Sequence, residues 1–108
     1  MLKVHRTDVN ETAYFSLAGR LDTNSAHEFD EAVKAAPLPE GDIIINTKGL
    51  EYISSAGLRI FLILSKTAKA NGAQIKVENV SREVLEVFQI TAFTEFLDIR
   101  PMQEDTVY

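Results

Sequence analysis

The segment that most constrains the fold of this chain is Asp42-Ile43-Ile44-Ile45-Asn46, which contains a run of consecutive β-branched residues. A continuous run of this kind predicts a strand buried on both faces, which is typical of a parallel sheet covered by helices. The segment Pro37-Leu38-Pro39-Glu40-Gly41 lies directly before this run and ends the helix predicted upstream of it. With 108 residues the chain is long enough to bury one core and too short for two, so we expect a single compact domain.

The other elements are predicted from hydrophobic periodicity and turn residues. Further strands are predicted over residues 2–9, 12–18 and 73–77, with a last edge strand over 98–100. Helices are predicted over 25–36, from the serines at 54 and 55 to 70, over 81–88, and as a short optional element over 91–97. Gly19-Arg20-Leu21-Asp22 is expected to break the strand pattern, and Ser25 and Glu28 have the spacing of a capping box. This order predicts an α/β fold, a mixed β-sheet with helices packed on it, over residues 1–102, and a frayed tail over 103–108.

Charge and composition exclude several classes of partner. Eleven Lys and Arg against sixteen Asp and Glu give a net charge of −5, so nucleic acid and membrane surfaces are not expected partners. The absence of cysteine excludes disulfides and thiolate metal sites and fits a cytosolic protein. The N-terminal residues lack the apolar run of a signal peptide, and the most apolar stretch, Leu58 to Leu64, is far too short to span a bilayer.

A helical wheel divides the second predicted helix into two faces. The face predicted to pack on the sheet carries Leu58, Phe61, Leu62, Ser65 and Ala68, and the opposite face carries Arg59, Ile63, Lys66 and Thr67. Ile63 is therefore an apolar residue among cations on the face expected to be wet. One interpretation is that a single exposed isoleucine is common and has no special role. The other is that Arg59, Ile63 and Lys66 form a partner-binding face with the two serines at its end.

Ser54 and Ser55 lie where a buried strand and its connecting segment lead into this helix. One interpretation is structural, in which one hydroxyl caps the helix by accepting a hydrogen bond from an otherwise unpaired amide. The other is that one hydroxyl is phosphorylated, because the free amides and the positive dipole end of a helix tolerate a phosphate. Such a phosphate adds about −1.5 to −2 charge, which can break a complex without unfolding the domain.

Several segments taken together resemble a known family. They are Gly19-Arg20-Leu21-Asp22, Ile43-Ile44-Ile45-Asn46, Leu50-Glu51-Tyr52-Ile53-Ser54-Ser55-Ala56-Gly57-Leu58-Arg59 and, before the third helix, Val80-Ser81-Arg82-Glu83-Val84. They resemble the STAS domain, and within it the single-domain bacterial anti-sigma factor antagonists. The switch of that family usually reads Asp-Ser-Ser-Gly-Leu, and the serine after the aspartate is the phosphorylated one. Counting back from Gly57-Leu58, that serine falls on Ser55; the family aspartate falls on Ser54, the alternative site, and the second family serine falls on Ala56.

The resemblance implies a mechanism of partner switching. An unphosphorylated antagonist binds an anti-sigma factor that is also a serine kinase, and thereby frees a sigma factor. The kinase uses its own ATP to phosphorylate the antagonist, which dissociates, and a separate serine phosphatase resets it. Ser55 is then the phosphorylation site, and the expected partner-binding residues are Asp22, Ser54, Ser55, Arg59 and Ile63, with Asp22 matching an acidic residue of the family near the switch. We expect a cytoplasmic binding domain with no catalytic residues, metal or cofactor of its own.

Enzymatic functions fit the residues less well. A nucleophile elbow needs glycine two residues before and two after the serine, and Ile53 stands at the first of these positions. The histidines, His5 and His27, both precede Ser55, whereas hydrolases with that elbow place histidine last. No glycine has the spacing of a phosphate-binding loop with Lys-Ser or Lys-Thr, which argues against a nucleoside triphosphatase.

Two further alternatives concern a metal site and a different role for the domain. His27 and Glu31 are one helical turn apart with Asp30 beside Glu31, but such neighbours are typical of a solvated face, and two ligands make a poor metal site. STAS domains also serve as modules of anion transporters, lipid-transport complexes and larger stress-signalling assemblies, which is the alternative function. The neighbouring genes distinguish these functions, since a kinase-type anti-sigma factor or a phosphatase favours the antagonist and transporter subunits favour the alternative.

Overall fold

The computed structural model describes residues 1–92 and 97–102 of the chain. Within these residues the elements are β1 Leu2–Val9, β2 Thr12–Leu21, α1 Ala26–Lys34, β3 Ile43–Ile53, α2 Ser55–Ala70, β4 Ile75–Val80, α3 Arg82–Ile90 and β5 Asp98–Pro101. The strands form a single sheet in the order β1-β2-β3-β4-β5, in which β1 is antiparallel to β2 and the other neighbours are parallel. The predicted mixed α/β sheet is confirmed. Most of the optional helix over 91–97 and the whole predicted tail lie outside the described residues.

The hydrophobic core lies on one side of the sheet. Along β2, the buried residues Ala13, Phe15 and Leu17 alternate with the exposed Tyr14 and Ser16. The helices pack on the buried side, where the rings of Phe15, Phe29, Phe61 and Phe88, from β2 and the three helices, follow one another with centroids 5.6–5.7 Å apart. The opposite side of the sheet is not covered by any helix that the structure describes and carries Tyr14, Ser16 and Asn46 among its residues, so the prediction that β3 is buried on both faces is wrong. Ile43 and Ile45 point into the core, whereas Ile44 is only half-buried on the open side.

Strands β2 and β3 are both longer than predicted, because the added residues of each strand pair with those of the other. The sequence predicts an end to β2 at Ala18, but Gly19 adopts a φ of +95° and the strand continues to Leu21 past two shifts in register. The added residues pair with Leu50 to Ile53, so the connecting segment predicted after residue 46 is also strand. Gly19 is required there because a Cβ would lie 2.1 Å from the carbonyl oxygen of Met1. As a result β2 and β3 end side by side, with Leu21 opposite Ile53.

The capping box predicted for α1 is wrong. Ser25 is the N-cap residue, but its side chain accepts no hydrogen bond from the helix. Its hydroxyl donates a hydrogen bond to the Arg20 carbonyl at 2.6 Å and lies 3.0 Å from Asp22 Oδ1. The hydroxyl therefore bonds to the segment before the helix and not to the helix amides. The helix buries Ala26, Phe29 and Val33 and ends at Lys34, two residues before the predicted end.

The predicted bounds of the later elements are shifted by a few residues. Helix α2 ends at Ala70, as predicted, before Asn71 and Gly72. Strand β4 begins at Ile75 and runs to Val80 rather than over 73–77. Helix α3 follows Ser81, whose hydroxyl accepts a hydrogen bond from the Val84 amide, with Val84 and Phe88 buried and Leu85 only partly so. The predicted last strand is confirmed as β5, parallel to β4.

Arg6 on β1 links the sheet to the end of α1 through hydrogen bonds. Its guanidinium donates hydrogen bonds of 2.9–3.2 Å to the backbone carbonyls of Ala32, Val33, Ala36 and Pro37. It also makes two bonds of 3.0 Å to the carboxylate of Asp8 and lies 5.3 Å from the centroid of the Phe15 ring. Only 11% of the Arg6 side chain is exposed, so a largely buried positive charge satisfies carbonyls in the last turn of α1 and in the segment after it.

We therefore expect Arg6→Ala to lower the free energy of unfolding by about 2–3 kcal/mol, because charged hydrogen bonds to half-buried carbonyls are lost. Arg100→Ala is the matched control, since Arg100 also pairs with an aspartate two residues away, Asp98, but its side chain is 54% exposed. That change is expected to cost less than about 1 kcal/mol. Urea unfolding followed by circular dichroism measures both, and equal losses would contradict the role given to Arg6.

Candidate functional site

The two serines lie at the junction of β3 and α2 and have different environments. Ser54 is the N-cap of α2, with an extended backbone at φ −100° and ψ 173°. Its hydroxyl accepts a hydrogen bond from the Gly57 amide at 3.4 Å, and its carbonyl accepts one from the Leu58 amide at 2.9 Å. Ser55 is the first residue inside the helix and is exposed. Among the described residues no hydrogen-bond partner is found for its hydroxyl.

This difference separates the two interpretations that the sequence leaves open. The capping role falls on Ser54, and the structure leaves the Ser55 side chain exposed at the positive end of the helix dipole. The phosphorylation of Ser55 stays a prediction.

The first turn of α2 lies directly against the end of β2. The Ser54 amide donates a hydrogen bond of 2.8 Å to the Leu21 carbonyl. A Cβ added at Gly57 would lie 2.6 Å from Cγ of Leu21, 2.7 Å from its Cδ2 and 3.2 Å from Cγ1 of Ile53. Glycine at position 57 therefore lets the helix start within contact distance of both strands, which holds Ser54 and Ser55 beside the loop that follows β2.

Asp22 lies in that loop, and its two carboxylate oxygens have different roles. Oδ1 accepts hydrogen bonds from the Asn24 amide at 3.0 Å, the Ser25 amide at 2.9 Å and the Ser25 hydroxyl at 3.0 Å. These bonds hold the pKa of the Asp22 carboxyl below its ordinary value. The Ser25 amide has the largest effect and the Ser25 hydroxyl the next, and the Asn24 amide and the charge of Arg20 also lower the pKa. Within the described part of the chain, the contact found for Oδ2 is a 3.9 Å ion pair with Arg20, so the loop presents an ionised oxygen at the surface.

Arg20 and Tyr52 form a contact at this site that the sequence reasoning missed. The Arg20 guanidinium lies 4.4 Å from the centroid of the Tyr52 ring, and both side chains are substantially exposed. The contact follows from the strand register, in which Arg20 is opposite Tyr52. The contact was missed because both segments were interpreted as connections rather than as paired strands.

The outward face of α2 extends away from Ser55 and has the composition predicted. Arg59 and Lys66 are exposed, and Ile63 is 50% exposed, so Ile63 is not part of the core. The buried face is rotated from the prediction. It contains Leu58, Phe61 and Ala68 as expected, but Ile60 and Leu64 take the places given to Leu62 and Ser65, which are half-buried. We refer below to Ser55, Arg59, Ile63 and Lys66 as the α2 strip.

The rest of the described structure bears on three other kinds of site: a ligand pocket, a metal site and a membrane-spanning helix. On the open side of the sheet, the strands form a shallow depression of about 200 Å³ lined by His5, Tyr14, Ser16, Asn46 and neighbouring residues, away from the serines. His27 and Glu31 are exposed on α1, and the described part of the chain holds no group of three potential metal ligands. In residues 1–92 and 97–102 there is no helix with the length and apolar character needed to cross a membrane.

The different environments of the two serines can be tested with a matched pair of substitutions. Ser54→Ala is expected to lower the free energy of unfolding by about 1 kcal/mol, because it removes the acceptor that caps α2. Ser55→Ala removes the same oxygen atom from an exposed position, so its effect is expected to stay within about 0.5 kcal/mol. Thermal and urea unfolding measure both, and a larger loss for Ser55→Ala would mean that Ser55 supplies the cap.

Comparison with known proteins places this geometry in a family. The STAS domain model matches residues 3–106. The anti-sigma-B factor antagonist of Bacillus subtilis is 34% identical over 94 residues, which cover 85% of this chain and 84% of that protein. Among solved structures, an anti-sigma factor antagonist from Mycobacterium paratuberculosis has a TM-score of 0.77 at 18% identity, covering 97% of this chain and 90% of that one. The anti-sigma factor antagonist SpoIIAA in its unphosphorylated form has a TM-score of 0.76 at 21% identity, covering 90% and 87%. The chain belongs to the STAS domain family.

Proposed function

We propose that this protein is an anti-sigma factor antagonist that acts in the cytoplasm by partner switching. The observation that carries the proposal is the exposed Ser55 side chain at the first position of α2, next to a separate N-cap residue, Ser54. The likeness to the Bacillus subtilis anti-sigma-B factor antagonist over 85% of the chain supports the choice of this function over the other roles of STAS domains.

In this proposal, the protein is the substrate of a kinase and catalyses nothing itself. The unphosphorylated domain binds an anti-sigma factor that is also a serine kinase, and the sigma factor is released. The Ser55 hydroxyl oxygen then attacks the γ-phosphorus of the ATP held by the kinase, ADP leaves, and the hydroxyl proton passes to a base of the kinase. A serine phosphatase later hydrolyses the phosphoester with water and restores the hydroxyl. The domain needs no metal or cofactor of its own for this cycle.

The surroundings of Ser55 favour a change in binding without a change in fold. A phosphate at the first turn of a helix meets unpaired amides and the positive dipole end, so it does not destabilise the helix. It adds about −1.5 to −2 charge to a chain that already carries −5. The proposed contact surface also includes Asp22, whose carboxylate is ionised nearby, and this concentrates negative charge where the partner binds.

The phosphorylation site can be tested directly. Incubated with ATP and the anti-sigma factor kinase of the same organism, the protein is expected to gain one phosphate, on Ser55. The phosphorylated protein should bind the kinase roughly ten- to a hundredfold more weakly, because a phosphate buried against a partner without a cationic clamp is unfavourable. Intact-mass spectrometry, peptide mapping and calorimetry measure these effects. Ser54→Ala, the control, should still accept one phosphate, while stoichiometric label on Ser54 of the unmodified sequence would contradict the assignment.

The α2 strip is expected to be part of the kinase interface. Ile63→Ala and Arg59→Ala should each weaken binding by more than about 1 kcal/mol, as truncation of an interface anchor often does, with little change in melting temperature. Ile90→Ala is the matched control for Ile63, because Ile90 is 84% exposed but lies at the end of α3. Calorimetry with the kinase measures the affinities. If Ile63→Ala and Ile90→Ala bind alike, the interface lies elsewhere.

A further inference from the structure

Arg59 differs from the other arginines of this protein, because no partner is found for it among the residues that the structure describes. Arg6, Arg20 and Arg100 each form an ion pair with an aspartate two residues away, and Arg82 also has an interaction partner. Arg59 is exposed on α2 and forms no ion pair or hydrogen bond with any residue that the structure describes. An unpaired guanidinium is unexpected in a chain with sixteen acidic residues against eleven basic ones.

The position of Arg59 relative to Ser55 is the second observation. Ser55 is the first residue of α2, and Arg59 follows four residues later. Side chains at i and i+4 of an α-helix are neighbours on one face, and an anion placed before a cation is the favourable order. Both residues are exposed, so no packed side chain separates them from solvent. A guanidinium binds phosphate through two parallel hydrogen bonds, which a lysine cannot do.

We propose that Arg59 is the intramolecular partner of the phosphate on Ser55, and that it is a positioning residue for the switch. The inference rests on the proposed phosphorylation of Ser55 and deepens it. In the unphosphorylated protein the guanidinium is available to a carboxylate of the kinase. After phosphorylation it pairs with the phosphate one turn before it and is withdrawn from the interface. Phosphorylation thus adds negative charge and removes a cationic contact in one step.

The alternative is that the phosphate turns toward the amides of the first turn and leaves Arg59 free. The two arrangements differ in what controls the ionisation of the phosphate. A guanidinium in contact with the phosphate favours its dianion and lowers its second pKa, whereas the helix amides act equally whether or not Arg59 is present. The second pKa of the phosphate therefore reports on the contact directly.

The experiment uses full-length protein with phosphoserine encoded genetically at position 55, so no kinase is required. Titration followed by phosphorus NMR gives the second pKa of the phosphate. Arg59→Gln is expected to raise that pKa by about half a unit, the size expected for loss of one charge at contact distance in water. Arg59→Lys should restore part of the shift. Lys66→Gln is the matched control, because Lys66 lies on the same face about 16 Å from Ser55 along the helix axis, and it should change the pKa by less than about 0.1 unit.

Other charged groups near the start of α2 also affect the phosphate. Those on the neighbouring elements are Arg20 near the end of β2, Asp22 in the loop after it, Glu51 on β3, and His27 and Glu28 in the first turn of α1. Their contributions are the same in every variant, so the difference between Arg59→Gln and the parent protein isolates Arg59. The dependence on ionic strength is a second check, since added salt should reduce the Arg59 effect.

Failure of this inference and failure of the proposed function give different results. If Arg59→Gln and Lys66→Gln leave the phosphate pKa equally unchanged, Arg59 does not hold the phosphate, whatever the kinase does. If the kinase does not modify Ser55, the proposed function is wrong, while the titration of the encoded phosphoserine still measures the contact. An upward shift confined to Arg59→Gln supports the assigned role.

Discussion

The contact between Gly57 and the end of β2 is the constraint on which the site depends. Glycine lets the first turn of α2 approach Leu21 more closely than any residue with a Cβ would allow. The Ser54 amide then reaches the Leu21 carbonyl, and the serines are held beside the loop of Asp22. This arrangement needs β2 and β3 to run parallel and end together, which their register provides. Residues far apart in sequence thus form one surface at the carboxyl ends of two strands, where polar residues of parallel sheets commonly gather.

The division of roles between the two serines also explains a departure from the family sequence. In the usual family pattern an aspartate precedes the phosphorylated serine, and here that position is Ser54. Serine and aspartate are about equally good N-caps, because each offers a side-chain oxygen to the amides of the first turn. Ser54 accepts the Gly57 amide in this way, so the substitution keeps the structural role of the position. Among the residues that the structure describes, no hydrogen-bond partner is found for the neighbouring Ser55 hydroxyl, so the proposed phosphorylation there would not remove a cap.

Most of the fold could be predicted from the sequence because local periodicity and turn residues determine it. The strand–helix order, the start of α2 and the exposure of Ile63 all follow from such local patterns. The extension of β2 and β3 could not be predicted, because a glycine with positive φ and a register shift depend on the partner strand. The Arg20–Tyr52 contact was missed for the same reason. The capping box failed because the Ser25 hydroxyl had a competing tertiary use with Asp22, which spacing alone does not reveal. Non-local pairing is thus what the sequence leaves undetermined at this site.

In the proposed function, the same features determine how a phosphate on Ser55 would be sensed. A modification that acts by changing structure has to bias an element with two alternative arrangements. The start of α2 offers no such freedom in the described structure, because Gly57 is fitted against Leu21 and Ile53 and Ser54 already caps the helix. Added charge therefore has little structural effect to exert within the domain. The charge of the phosphate would act instead at the surface, where it changes the electrostatic potential and attracts the cations within reach. In the proposed switch, the domain signals by what it presents to a partner rather than by refolding, and the side chains that share a helical face with Ser55 would determine the size of that signal.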